Sequence, residues 1–327
     1  PGIDSSKVYT NDNVMRMDEL PARMVVIGGG VIAAEFSHVF SAFGTEVTQL
    51  NRSSRLLRGV DEEVVARFEE AASKQWNIVK DASLSEIREN ADGSVTVVAK
   101  HTTENGEELL EIPADAVLVA TGRRPNTDTL NAKNYFDVQD GGQLSVDKYQ
   151  RVLYNGAPVP GVYALGDVSS RYQLKHVANH EARVVQHNLS HPEDLRASDH
   201  RYVPAAVFSN PQIAVVGMTE EQARQAAERE GFEITVKAQN FGDTAYGWAM
   251  EDKIGLCKLI ARKDNGELLG AHLVGEESSV LIQPLLQAMS FGMDARTLAR
   301  GQYWIHPALT EIVENALLGL EFDEPAN

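Results

Sequence analysis

The sequence predicts an α/β fold with an α+β portion behind it, and three observations carry that expectation. Near the start an apolar run breaks at three glycines and continues with helical spacing. A later apolar run closes on Thr121-Gly122, and the last third of the chain orders its strands before its helices. At 327 residues, 43% hydrophobic and 24% charged, the chain is long and apolar enough for two or three globular domains.

The first 20 residues are polar and punctuated, and read as a linker. Met24-Val25-Val26-Ile27 has the length and composition of a buried parallel strand and ends in Gly28-Gly29-Gly30. Ile32, Phe36, Val39, Phe40 and Phe43 then recur at helical spacing, with Gly44 placed to terminate the helix. Glu46-Val47-Thr48-Gln49-Leu50 returns as a strand and completes a βαβ unit. Asp61 is placed to cap a second amphipathic helix carrying Val64, Val65, Phe68 and Ala72. Residues 78–112 alternate around two turn signals and read as a small antiparallel insertion, and Ala116 to Ala120 closes the first domain near residue 122.

Residues 123–195 hold Pro- and Gly-rich connections, one strand at Val162 to Leu165 and a helix from Val177 to Leu189. That is too few strands to close a core, so the segment reads as the later part of a domain begun elsewhere. From Val203 come strands at 203–208 and 213–217, a Thr219-to-Gln222 capping box, strands at 233–239, 254–262 and 268–274, and the final helices. The expected division is 1–20, 21–122, 123–199 and 200–327.

Acidic residues outnumber basic ones 47 to 30, a net charge of −17, and this field repels nucleic acid and anionic membrane. Any phosphate must be held by local groups. Cys257 is the one cysteine, which excludes a disulfide within this chain. No apolar run reaches the roughly 18 residues of a membrane span, and a cytoplasmic setting is expected. The chain opens on Pro1-Gly2-Ile3 without a methionine, which suggests a processed or truncated polypeptide.

Gly28-x-Gly30-x-x-Ala33 lies between the first strand and first helix, the context that a dinucleotide fingerprint needs. The first glycine makes the tight turn, the second lets backbone approach a pyrophosphate, and the small third residue lets helix and strand pack closely. Helix-terminal N–H groups then face the phosphates. A glycine-rich turn alone is weak evidence; strand, helix and second strand together make nucleotide binding the expectation. An NAD site usually places an acid after the second strand. Here stand Asn51-Arg52-Ser53-Ser54-Arg55-Leu56-Leu57-Arg58, with no acid before Asp61. Arg52 and Arg58 suit either a solvated cationic turn or a fork onto a 2′-phosphate. Their position after this strand favours the phosphate, and so NADPH.

Four segments in this order carry a resemblance: Gly28 to Glu35, Ala120-Thr121-Gly122-Arg123, Ala164-Leu165-Gly166-Asp167, and His306-Pro307 with Glu311. Together they resemble the flavin-dependent pyridine nucleotide-disulfide oxidoreductases along essentially the whole chain. The resemblance implies a Rossmann-type NAD(P)H-binding domain, the remainder of an FAD-binding domain and a C-terminal α+β dimerisation domain. It implies FAD and NADPH as cofactors, a small disulfide as substrate, and a homodimer whose active site is shared across the interface. Gly122 falls in the second segment. Asp167, after Gly166, would bond the ribityl chain of FAD; His176, Val177 and Ala178 match the helix start at the flavin's pyrimidine end. Glu35 matches a glutamate near the nicotinamide that pairs with an upstream lysine, and Arg52 and Arg58 match the 2′-phosphate arginines. His306 and Glu311 match the catalytic acid/base and its orienting carboxylate. Without the resemblance, a histidine before a proline at a helix start is an equally good reading.

Three departures qualify the likeness. The fingerprint for the ADP half of FAD and the Cys-x4-Cys redox pair are absent from the sequence, so an upstream part of the enzyme is expected outside it. Val31 stands where many relatives carry an aromatic gate over the nicotinamide pocket. Cys257, within an apolar strand, is expected to be an inert buried thiol. His176 and His180 stand four apart, but no cysteine completes a metal set, and a metal site is not expected. Two alternatives remain: an NAD-linked dithiol dehydrogenase, and a non-catalytic nucleotide-binding and dimerisation fragment.

Overall fold

Hydrophobic periodicity builds the first sheet. The computed structural model describes residues 1–323. Strands β1 (Val8–Tyr9), β2 (Arg23–Ile27), β3 (Glu46–Leu50), β4 (Asn77–Val79) and β8 (Ala116–Val119) form a parallel sheet in the order β1-β8-β2-β3-β4. Helices α1 (Val31–Ala42) and α2 (Glu62–Ala72) make its crossovers. A second, three-stranded antiparallel sheet, β5 (Ala82–Glu89), β6 (Val95–Thr103) and β7 (Gly106–Ala114), packs Ile87, Val95, Val97 and Ala114 against Val25, Ile27, Leu50 and Val117 of the parallel sheet. Both faces of the parallel strands are thereby buried, which is why they read as continuous apolar runs rather than alternating ones.

Two expectations are corrected here. The supposed N-terminal linker contains β1, which pairs with β8, and a 3-10 turn at Val14–Arg16 whose Val14 is buried. The antiparallel insertion begins at Ala82, because Asn77–Val79 belongs to the parallel sheet.

Residues 123–203 form a compact unit of their own, and residues 1–122 and 204–327 form the other. The smaller unit holds a two-stranded antiparallel pair, β9 (Arg151–Tyr154) and β10 (Ala157–Tyr163), a small core of Ala132, Leu144, Val152 and Ala164, and helix α3 (Lys175–Ser190). The single strand expected at 162–165 is therefore the second arm of a hairpin that ends at Tyr163.

In the larger unit, β11 (Ala205–Val207), β12 (Gln212–Gly217), β13 (Ile234–Asn240), β14 (Leu256–Arg262) and β15 (Leu268–Gly275) make an antiparallel sheet in the order β11-β12-β15-β14-β13. Around it lie α4 (Glu220–Glu230), α5 (Ala245–Ala249), α6 (Ser278–Leu281), α7 (Gln283–Phe291), α8 (Ala295–Arg300) and α9 (Glu311–Leu318). Helix α2 packs on β14 and β15, and one apolar cluster runs from Phe68 and Trp76 to Ile213, Leu256 and Val274.

A buried charge cluster sits where α2 meets this sheet. Lys258, its side chain 6% exposed, places Nζ 3.0 Å from Asp61, 2.8 Å from Glu220 and 3.2 Å from Glu63. Burial opposes charge on these groups, yet the bonds to Lys258, with the Glu220 N–H on Asp61 and Arg224 on Glu220, hold both carboxyls below their ordinary values. Burial lowers the nearby His272, whose Nε2 lies 2.7 Å from the Met218 carbonyl oxygen. All three groups bind protons less readily when folded, so their stabilisation is present at neutral pH and is lost on acidification. The unfolding midpoint should fall from about pH 6.5 downward, where unfolded His272 takes up its proton, and fall again below the carboxyl values of 4.5 and 3.8. Thermal melts across pH 7.5 to 3.5 (a range set by these ordinary values) check this, and a flat profile would contradict it. His272→Gln should remove the first decline only.

Candidate functional site

The glycine turn is packed on one side and open on the other. Gly28 has φ +143°, and a Cβ there would stand 2.4 Å from the Ala120 carbonyl oxygen, so no other residue fits the turn as it crosses β8. Gly30 caps α1, and a Cβ built on it meets nothing within 4 Å. No side chain caps this helix, which leaves its first N–H groups and its positive end facing that open space. Ala33 is fully buried beneath the turn. Buried Gln49 steadies the turn from below, donating to the Gly28 carbonyl at 3.0 Å and accepting from Trp76 Nε1 at 3.0 Å.

The arginine segment is a folded loop rather than a loose turn. Asn51 Nδ2 donates to the Ser53 and Arg55 carbonyls at 2.7 and 2.9 Å, Arg55 donates to the Val60 carbonyl, and Leu56 and Leu57 are buried. Leu57 N–H donates to the Gly29 carbonyl at 2.8 Å, which ties this loop directly to the glycine turn. The exposed guanidinium groups of Arg52 and Arg58 have no hydrogen-bond or ion-pair partner among the described residues. The sequence reading missed Asn51, Gln49 and the Leu57 tie; an amide ending an apolar strand was the available signal for the first.

The other site residues fall as follows. Glu35, on α1, accepts from Phe208 N–H at 2.9 Å. Val31 opens α1 and is exposed, and Gly122 is exposed with open space before it. In the 123–203 unit, Gly166 N–H donates to the buried Glu181 at 2.7 Å, whose other oxygen lies 3.0 Å from His200 Nε2. The exposed Asp167 pairs with Arg123 at 3.0 Å. His176, Val177 and Ala178 occupy the first turn of α3, which has no side-chain cap. Cys257 is fully buried, and burial pushes its thiol far up, out of reach of ionisation at neutral pH. Among the described residues no three His, Cys, Asp or Glu side chains converge to hold a metal.

His306 and Glu311 meet. His306 Nδ1 lies 2.8 Å from Glu311 Oε1, and the second carboxylate oxygen accepts from Ala308 N–H at 3.4 Å. Glu311 opens α9, so the helix dipole favours its charge, and its side chain is 17% exposed against 68% for His306. With the carboxylate as acceptor, Nδ1 carries the hydrogen and Nε2 is left facing solvent for proton exchange. Trp304 Nε1 donates to the Ala299 carbonyl at 3.0 Å and anchors the segment, while Tyr303 and Ile305 are exposed beside the histidine.

Residues 1–182 match the pyridine nucleotide-disulphide oxidoreductase family and residues 203–317 match the dimerisation domain of that family. The chain belongs to the pyridine nucleotide-disulphide oxidoreductases. It is similar to the mycothione reductase of Mycobacterium tuberculosis H37Rv, at 51% identity over 98% of this chain and 67% of the relative. It is also similar to a dihydrolipoyl dehydrogenase of Synechocystis, at 33% identity over 97% of this chain and 66% of the relative. Among solved structures, the HOCl-induced flavoprotein disulfide reductase RclA of Escherichia coli superposes with a TM-score of 0.84 at 28% identity, covering 98% of this chain and 70% of that one. The chain thus spans about two thirds of the length of these relatives. This oxidoreductase is a flavoprotein disulfide reductase, an enzyme that works with a flavin and a pyridine nucleotide. No helix among the described residues is long and apolar enough to cross a membrane.

Proposed function

We propose that this disulfide reductase is NADPH-dependent and that its substrate is mycothione, the disulfide of mycothiol. The 51% identity to a mycothione reductase supports the substrate, and the two partnerless guanidinium groups beside the glycine turn support the coenzyme. The residues present fit a pyridine nucleotide. Open space before Gly30 and uncapped α1 N–H groups suit a pyrophosphate, and Arg52 and Arg58 suit a 2′-phosphate that a carboxylate would repel. They also fit the flavin of the FAD that the family resemblance implies: Asp167 would bond the ribityl chain, and the first turn of α3 at His176, Val177 and Ala178 would face the ring with its uncapped helix start. When bound, these cofactors supply the electron pair that reduces a redox disulfide to its dithiol. This sequence, whose one cysteine is Cys257, holds no such cysteine pair itself.

The chain's own contribution is protonic. A thiolate attacking the substrate forms a new S–S bond and breaks the old one, and the departing sulfur carries the negative charge. His306 Nε2 gives it a proton, and Glu311 holds the ring in the required tautomer and stabilises the imidazolium. The exposed Tyr303 and Ile305 beside His306, with the match to a dimerisation domain, support a homodimer in which this histidine serves the partner's dithiol; the setting proposed for it is the cytoplasm.

An NAD-linked dithiol dehydrogenase is the rival, and the residue after β3 discriminates: it is Asn51 followed by Arg52, not an acid. Steady-state turnover of the full-length enzyme decides. Mycothione with NADPH should exceed both mycothione with NADH and lipoamide with NADH in kcat/KM by about a hundredfold, the scale of two charge-assisted contacts. A preference for NADH would defeat the assignment.

A further inference from the structure

Asp61 stands three residues after Arg58 and is the fastening point of the arginine loop. Its carboxylate, 3% exposed, accepts from Glu63 N–H at 3.2 Å, Glu220 N–H at 3.1 Å and Lys258 Nζ at 3.0 Å. Two of those three donors lie in the C-terminal sheet region. The loop is also tied by the Leu57 N–H on the Gly29 carbonyl and by the Leu56 N–H on Glu69 at 3.1 Å. Arg58 is held between these ties with its guanidinium free. A cleft of about 430 Å³ opens there, lined by Arg55, Arg58 and Asp61 from the loop and by Thr219, Glu220 and Lys258 from the C-terminal part of the chain.

From this juxtaposition we infer that Lys258, a residue of the C-terminal sheet, positions the loop that reads the coenzyme's 2′-phosphate, and that this sheet forms the far wall of the phosphate pocket. The inference rests on the NADPH reading above. Its physical basis is charge balance. Asp61, Glu63 and Glu220 converge on one ammonium group, and Arg224 adds its guanidinium only to Glu220, at 2.9 Å. Without Lys258 the carboxylates repel one another and part the start of α2 from the start of α4. That displaces Arg58 and raises negative potential within a Debye length of an incoming dianion. Arg58 then approaches the phosphate badly, whereas the groups placed for the pyrophosphate lie at the glycine turn, which the Gln49 bond to the Gly28 carbonyl also holds from below.

The test is binding to the full-length flavoprotein, measured by calorimetry with adenosine 2′,5′-bisphosphate and adenosine 5′-monophosphate as probes. Lys258→Met should weaken the bisphosphate about tenfold and the monophosphate less than about twofold. Equal weakening of both probes, or no change in either, would overturn the inference by reducing Lys258 to a structural anchor. Should Lys258→Met fail to fold, Glu220→Gln keeps the Lys258–Asp61 contact, removes one carboxylate charge from the cleft and should tighten the bisphosphate by about threefold while the monophosphate hardly changes; no change in the bisphosphate, or an equal gain in both probes, counts against the inference in the same way. Arg58→Ala in the same titrations separates the two layers. Wild-type protein that does not prefer the bisphosphate overturns the NADPH reading and this inference together. Preference that vanishes in Arg58→Ala but stays at the wild-type factor in Lys258→Met and in Glu220→Gln overturns this inference alone.

Discussion

His306→Ala in the full-length enzyme is expected to slow disulfide reduction by about 10²–10⁴-fold, while the bleaching of flavin absorbance on mixing with NADPH keeps its rate. The expected asymmetry comes from where the proton is needed. A departing thiolate must be protonated, and the Nε2 of a ring held by Glu311 at 2.8 Å is the proposed donor. Transfer of the electron pair from coenzyme needs no proton from that ring. Stopped-flow absorbance for the first half-reaction and thiol release for the second separate them. Equal losses in both would remove His306 from the role, because they would report a damaged fold rather than a missing proton. Glu311→Gln is the graded companion: it keeps an oxygen that can accept from Nδ1 but removes the charge behind the imidazolium, so the loss should be smaller and confined to the second half-reaction. His306 is 68% exposed, so removing its ring should leave the chain's melting temperature nearly unchanged.

What could be read in advance, and what could not, follows from the reach of the forces involved. The β2–α1–β3 unit and the Asp61 cap are local: periodicity, a glycine bend and a side chain two residues from its N–H donor all lie within one short window. The pairing of β1 with β8 is not local. Two residues, Val8 and Tyr9, become a strand because Val117 and Leu118 offer an open edge more than a hundred positions away, and no pattern in eight polar neighbours announces that. Lys258 shows the same limit from the opposite side. Within the apolar strand β14 it looks like an outward-facing lysine, and only the arrival of Asp61 and Glu220 from α2 and α4 explains a buried ammonium group. The candidate site divides likewise. Gly28 and Gly30 are recognisable from type and spacing, and His306 and Glu311 only through the family resemblance, whereas Asn51, Gln49 and the Leu57 backbone tie matter only once the chain has brought two loops together. Tertiary contact decides them, and single-sequence reasoning has no access to it.

Arg52→Ala with Arg58→Ala is expected to raise the KM for NADPH by about a hundredfold or more while leaving the KM for NADH within about twofold, with kcat nearly constant for both. Each charge-assisted contact to a phosphate is worth about 1.5–3 kcal/mol, and every 1.4 kcal/mol is about a factor of ten. The two guanidinium groups make no bonds to described residues, so the double substitution leaves no buried acceptor unsatisfied and should not unfold the protein. That separates it from any change at Asn51, which would release the whole loop. The chain's net charge of −17 sharpens the prediction, because the long-range field opposes a phosphate and only these local cations offset it. Added salt screens both the field and the contacts, so the NADPH preference should shrink as ionic strength rises in the wild type and hardly change in the double variant. A double variant that still prefers NADPH by the wild-type factor would place the phosphate elsewhere and leave Arg52 and Arg58 as a solvated turn.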